Sequence, residues 1–167
     1  MKQIDRRLAA VLTAAGCSAV LGAVAVPATA QADTLRFFSK STGQQFLGAG
    51  GQPLMDPSTI GPGAQFSGTD RDYVGNSKRH AKDWTASDHI DCAFTTQAVA
   101  TCNAQLAIGG SMLLATRVNV TFDFMGNAPT VVPINGGTGK YVGARGTVTS
   151  AGVGNSNSSD LTVRVRT

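Results

Sequence analysis

Residues 111–124 read SMLLATRVNVTFDF, and this stretch decides the fold. Met112, Leu114, Val118, Val120, Phe122 and Phe124 fall on one side of an alternation. Arg117, Asn119, Thr121 and Asp123 fall on the other. A period of two, rich in β-branched and aromatic residues, is that of a half-buried β-strand. The apolar side is expected inside and the polar set outside. Gly109-Gly110 and Gly126-Asn127 bound the strand as turns.

The same grammar extends outward in both directions. Asp91 to Thr96 and Ala98 to Ile108 read as a hairpin. Thr130 to Ile134, Tyr141 to Ser150 and Leu161 to Thr167 read as later strands, Gln65 to Val74 as an earlier one, with a further strand near Leu35–Phe38. Residues 48–63, with five glycines and three prolines, read as an irregular loop. Residues 76–88, carrying Trp84, read as a polar loop, and residues 152–160 as a Ser/Asn/Gly loop. About eight strands with short links and no convincing helix predict an all-β, eight-stranded antiparallel β-barrel, because closure removes unpaired edges. A two-sheet sandwich is the alternative.

Composition agrees. Of 167 residues 42% are hydrophobic and only 14% charged, against about 25% in an ordinary soluble domain. All ten acids are aspartate, and glycine occurs 20 times. Abundant glycine and missing glutamate exclude a helical bundle. The length excludes a multi-domain enzyme, and the apolar content excludes disorder of the whole chain.

Residues 1–32 read as a signal peptide. Lys2, Arg6 and Arg7 precede an uncharged run from Leu8 to Val26, and Pro27 and small-x-small cleavage sites ending at Ala30 or Ala32 follow. Residues 33–64 are then an N-terminal strand and Gly/Pro-rich loop, and residues 65–167 the barrel domain. The protein is expected to be secreted, with no stable membrane anchor after cleavage. Without Lys2, Arg6, Arg7 and Asp5, eleven basic residues face nine aspartates, a net charge of about +2. Lys78, Arg79 and Lys82 cluster, but Asp70, Asp72, Asp83 and Asp88 surround them. This is no basic stripe, so no nucleic-acid partner is expected. Cys92 and Cys102 remain after export and are expected to form a disulfide in an oxidising compartment. Their spacing does not fit a zinc knuckle, and two histidines without glutamate offer few metal ligands, so no metal is expected.

Residues 135–141, NGGTGKY, invite a phosphate-loop reading that fails. Ile134 occupies the position of the required first glycine, and Tyr141 stands where Ser or Thr would hold magnesium. Gly136 to Gly146, GGTGKYVGARG, instead resembles the GGTGxYxxARG signature of the allene oxide cyclase and dirigent-protein barrel superfamily, its bacterial secreted members most closely. Gly68-Thr69-Asp70, Tyr73-Val74-Gly75, Asp91-Cys92-Ala93-Phe94, Ala100-Thr101-Cys102-Asn103-Ala104 and Gly109-Gly110-Ser111-Met112 resemble further segments in the same order. The resemblance covers roughly residues 65–167. It implies an eight-stranded barrel with a largely apolar cavity, commonly a dimer or trimer, and an activity without cofactor. That activity is ring closure or stereoselective coupling of a reactive intermediate by positioning. The glutamate of the plant cyclases has no counterpart, because the chain contains none.

Candidate site residues follow. Tyr141 and Arg145, four apart in an expected strand, would face one side and bind a carboxylate or phenol. The plainer reading makes Arg145 a structural tie for the signature turn. Asp91 is the aspartate put forward for the missing acid, with His89 beside it as a base or simply an exposed loop residue. Tyr73, Phe94 and Phe122 are the aromatic candidates for ligand contact. The expected function is binding of an apolar or aromatic small molecule, with cofactor-free cyclisation or isomerisation. A lipocalin-like carrier or a structural barrel filled by side chains is the alternative.

Overall fold

The computed structural model describes residues 32–124 and 128–167. The expected export signal up to residue 31 and the expected turn at Gly126-Asn127 lie outside the described residues. Ten strands follow in chain order: β1 Ala32–Leu47, β2 Gln65–Asn76, β3 Arg79–His80, β4 Ala86–Phe94, β5 Val99–Ile108, β6 Ser111–Thr121, β7 Thr130–Ile134, β8 Gly136–Gly137, β9 Arg145–Gly152 and β10 Ser158–Arg166. Eight are long and β3 and β8 are two-residue pieces. Single 3-10 turns cover Pro57–Thr59 and Gly139–Tyr141.

The strands run in the order β7-β9-β10-β1-β2-β4-β5-β6-β8, antiparallel throughout, with β3 pairing β2 alone. One chain segment sews the ends together. Its first part, β7, pairs with β9, and its continuation, β8, pairs with β6. Asn135 sits between. Its N–H donates to the Leu114 carbonyl at 3.0 Å. Its side chain accepts from the Thr116 N–H at 2.9 Å and donates to the Thr116 carbonyl at 2.8 Å. The sheet is an antiparallel barrel of eight long strands, nearly closed along this seam, and not a two-sheet sandwich.

Several elements differ from their sequence reading. β1 is far longer than Leu35–Phe38 and lies between β10 and β2, so residues 32–47 are barrel wall. β4 begins at Ala86, which puts Asp88 in a strand rather than in a polar loop. In β6 the alternation breaks. Cys102 pairs with Val118 and Ala104 with Ala115, so Thr116 and Arg117 together oppose Asn103. This is a β-bulge. Arg117 takes a φ of 52° and its N–H donates to Asn103 Oδ1 at 2.9 Å. The bulge reverses the facing pattern. Leu113 is 2% exposed and packs inside, whereas Met112 and Leu114 turn to the outer face. Beyond the bulge Val118 and Val120 point in, as their alternation predicts, and Arg117, Asn119, Thr121 and Asp123 are exposed.

Two apolar clusters fill the interior. One gathers Phe37, Leu106, Leu113, Ile134, Leu161 and Val163. The other gathers Phe94, Ala100, Val118 and Val120 with Phe66 and Phe122, and contains the Cys92–Cys102 disulfide. These cysteines are direct cross-strand partners in β4 and β5. Along β4 the inward positions run Ala86 in the first cluster, Asp88, then Ile90 and Cys92 in the second. A polar girdle therefore separates two apolar layers.

The signature segment is a structural lock. A Cβ at Gly137 would lie 2.2 Å from the Tyr141 carbonyl oxygen, and one at Gly146 would lie 1.9 Å from that of Arg164. Neither site has room for a side chain. Thr138 ties the turn to β6 through its N–H to the Met112 carbonyl at 2.8 Å and its hydroxyl accepting the Met112 N–H at 3.1 Å.

Candidate functional site

A cavity of about 360 Å³ opens within the barrel. One wall is apolar and includes Leu113, Val132, Ile134 and Val148, with the ring of Phe122, while Phe66 lines the cavity from β2. The opposite wall carries Gln44, Asp70, Asp88 and Ser159. No Lys or Arg is among its lining residues.

The polar wall follows from strand register. In β2 the inward series is Phe66, Gly68, Asp70 and Asp72, opposite Cys92, Ile90, Asp88 and Ala86 of β4. Asp70 and Asp88 are thus direct cross-strand partners, a like-charged arrangement that is costly when both are ionised. Across β1 the partner of Asp72 is Ser39. Ser39 is fully buried and its hydroxyl donates to Asp70 Oδ2 at 3.0 Å. Asp72 is 0% exposed, and neither of its carboxyl oxygens has a hydrogen-bond partner.

Such a cluster does not stay fully ionised. Burial first, then the charges of Asp72 and Asp70, push Asp88 up to about 8. Burial, reinforced by the Asp70 charge and partly offset by the neighbouring Ser39 and Asp88, pushes Asp72 up to about 6. Burial raises Asp70 too, against the opposing pull of Ser39 and Ser41. Two ionised carboxylates offer each other no donor. A proton held on Asp88 supplies the one Asp72 lacks, so the pair shares a proton through the neutral range. Asp88, raised and lining the cavity beside Asp70, is the carboxyl of this cluster suited to giving up or taking a proton there.

The residues singled out from sequence are distributed differently. Phe122 lines the cavity. Phe94 is buried behind it, with ring centroids 5.5 Å apart. Tyr73 lies on the outer face of β2, where the Lys40 ammonium sits 5.2 Å from its ring. Tyr141 is buried in the 3-10 turn and the first apolar cluster, so it and Arg145 share no strand face. That expected geometry is corrected: the turn interrupts the strand, which begins only at Arg145. Arg145 is exposed, and its Nη1 donates to the carbonyls of Asn135 at 2.6 Å and Ala144 at 2.8 Å. Asp91 points away from the cavity, on the opposite face of β4 from Asp88, and is 59% exposed. It pairs with His89 at 2.8 Å, whose other ring nitrogen lies 2.9 Å from the Thr69 hydroxyl. Tyr141, Arg145 and Asp91 are therefore not brought together.

Asp70, Asp72 and Asp88 were the residues to find. The faint signal is the Asp70-x-Asp72 spacing, which puts two carboxyls on one strand face. It is masked because the other face, with Thr69, Arg71 and Tyr73, is as polar. Among the described residues no group of three or more His, Cys, Asp or Glu is placed to hold a metal ion.

No protein-family model and no curated protein matches the chain. Solved structures do. A pyocyanin demethylase is similar with a TM-score of 0.59 at 20% identity, over 80% of this chain and 99% of the other. The pterocarpan synthase dirigent protein PsPTS1 gives a TM-score of 0.55 at 14% identity, over 81% of this chain and 94% of its own. A second pterocarpan synthase dirigent protein, GePTS1, gives 0.55 at 15% identity, over 81% and 83%. The chain thus has a barrel fold similar to that of these dirigent proteins and the demethylase.

Proposed function

We propose that this is a secreted barrel that binds an apolar or aromatic small molecule in its cavity and steers its ring closure or isomerisation without a cofactor. The observation that carries the reading is the roughly 360 Å³ cavity with apolar side chains on one side and the Asp70 and Asp88 carboxyls on the other, Asp72 lying behind them on the same face of β2. That volume is within the range of small-molecule sites. The apolar wall restricts conformers and excludes water, and the shared proton can be given to one atom and withdrawn from another. The similar structures include a demethylase and two pterocarpan synthases, whose names denote small-molecule chemistry. A carrier lined only by aliphatic side chains would have no use for two carboxyls in its cavity wall and a third buried behind them.

The test is direct. Native mass spectrometry of protein recovered from its own culture medium should show a co-purifying small molecule, and the neutral dye N-phenyl-1-naphthylamine should bind with a blue-shifted emission. Leu113→Trp, which fills the cavity, should abolish dye binding while the fold is retained. Absence of both the small molecule and dye binding would overturn the reading. With the co-purified molecule or its precursor as substrate, Asp88→Asn should lose turnover while the neutral dye still binds. Binding without any turnover by the unaltered protein would leave a carrier.

A further inference from the structure

Building on that reading, we propose that the cavity selects a cation: an aromatic molecule bearing a protonated amine or amidine, seated with its ring on Phe66 and Phe122 and its charged nitrogen on the carboxyls of Asp70 and Asp88. The argument is one of unmatched charge. The groups facing the aspartates are Ser39 and Ser41 from β1, each other across β2 and β4, and Ser159 from β10. The nearest histidine, His89, is turned to the outer face of β4 and engaged with Asp91 and Thr69. Among the described residues no guanidinium or ammonium lines the cavity. Asp72, fully buried behind Asp70 and Asp88 on the same face of β2 as Asp70, adds a third carboxyl to the cluster without lining the cavity itself. Paired carboxyls facing a cavity with no cation beside them are destabilising, and a ligand with several N–H donors and a positive charge relieves Asp70 and Asp88 best. An anionic ligand would meet only repulsion. A neutral one would fill the apolar wall and leave the carboxyls as they are. The rings of Phe66, two inward positions from Asp70 on β2, and of Phe122 suit the flat body of such a molecule.

Binding also has a proton signature. A cation that enters takes the place of the proton shared between the carboxyls, so that proton leaves to solvent and the charge of the cavity is conserved. A neutral ligand of the same shape displaces none.

The experiment compares three naphthyl probes of one shape at pH 7.5: 1-naphthylmethylamine, 1-naphthylmethanol and 1-naphthoic acid. Titration calorimetry in two buffers of different ionisation enthalpy reads affinity and proton release together. The amine should bind at least tenfold more tightly than the alcohol and release a substantial fraction of one proton. The acid should bind more weakly than either. Asp70→Asn/Asp88→Asn should bring the amine to the alcohol's affinity while leaving the alcohol unchanged, with a thermal melt confirming the fold. Equal binding of amine and alcohol, or preference for the acid, overturns the cation inference. If the neutral dye binds in that case, the small-molecule cavity stands without its charge preference. If neither the dye nor any probe binds, the cavity reading itself falls.

Discussion

Asp72 is the residue whose environment is hardest to account for by stability alone. It is fully buried, unpartnered, and beside two more carboxyls. Its raised pKa fixes the direction of the pH effect. Below about pH 4 the folded and unfolded chains both hold the proton. Above that, the unfolded chain releases it while the folded chain retains it up to about 6 for Asp72 and about 8 for Asp88. Over that window the native state binds more protons, so stability falls as pH rises. Asp72→Asn removes the ionisation and gives Asp88 an amide donor. It should raise Tm at pH 8 by several degrees and leave it nearly unchanged at pH 4, as read by thermal melts across that range. A variant no more stable at pH 8 than at pH 4, relative to the unaltered protein, would contradict the buried pair. Arg145 offers the opposite case. Its guanidinium donates to the Asn135 and Ala144 carbonyls and lies outside the cavity. Arg145→Ala should therefore cost about 1–2 kcal/mol in a urea melt and leave the affinity for the neutral dye as it was.

At the scale of elements, the strands were legible where one face is apolar throughout, and the site was hidden where that rule fails. β7 matches its sequence reading to the residue, and the disulfide-linked β4–β5 hairpin lies where the spacing of Cys92 and Cys102 puts it. β6 was readable as a strand but not in its facing, because a bulge leaves no mark in the alternation on either side of it. Arg117 in a left-handed conformation is held there by Asn103, fourteen residues away, and no local pattern records that bond. Phe122 could be placed in the cavity because it follows the bulge. The aspartates could not, because polar residues on an inward face look like surface. The seam is testable at this scale. Asn135→Ala removes two side-chain bonds that bridge β7 and β6 and should destabilise the barrel by about 1–3 kcal/mol. Hydrogen exchange should quicken first at the Thr116 and Gly137 amides. Unchanged protection there would mean that the seam is held otherwise. Reduction of Cys92–Cys102, which closes a short loop of sequence separation 10, should lower stability by about 2–3 kcal/mol.

For the whole molecule, the barrel sorts charge by sign. Counting from Asp33, eleven Lys and Arg face nine Asp. Asp70, Asp72 and Asp88 turn inward from the walls of β2 and β4, while every basic residue in that span is exposed or half-exposed. The exterior is therefore more basic than the sequence sum of about +2 implies, and the interior is an acidic pocket insulated by apolar layers. The separation has a measurable consequence. At pH 7 a carboxyl pushed up to about 8 is mostly protonated and one pushed up to about 6 mostly ionised, so the folded chain holds close to one proton that the unfolded chain does not. Capillary electrophoresis at pH 7 should find the native protein more positive than its urea-unfolded form by about one charge, after correction for size. Asp88→Asn adds one charge to the unfolded chain but little to the folded one, so the difference should shrink to a small fraction of its former value. A native protein with the same charge as its unfolded chain would mean that all three carboxyls are ionised in place, and an ionised trio with no cation beside it would require water or a bound ion reaching deep between the two apolar layers.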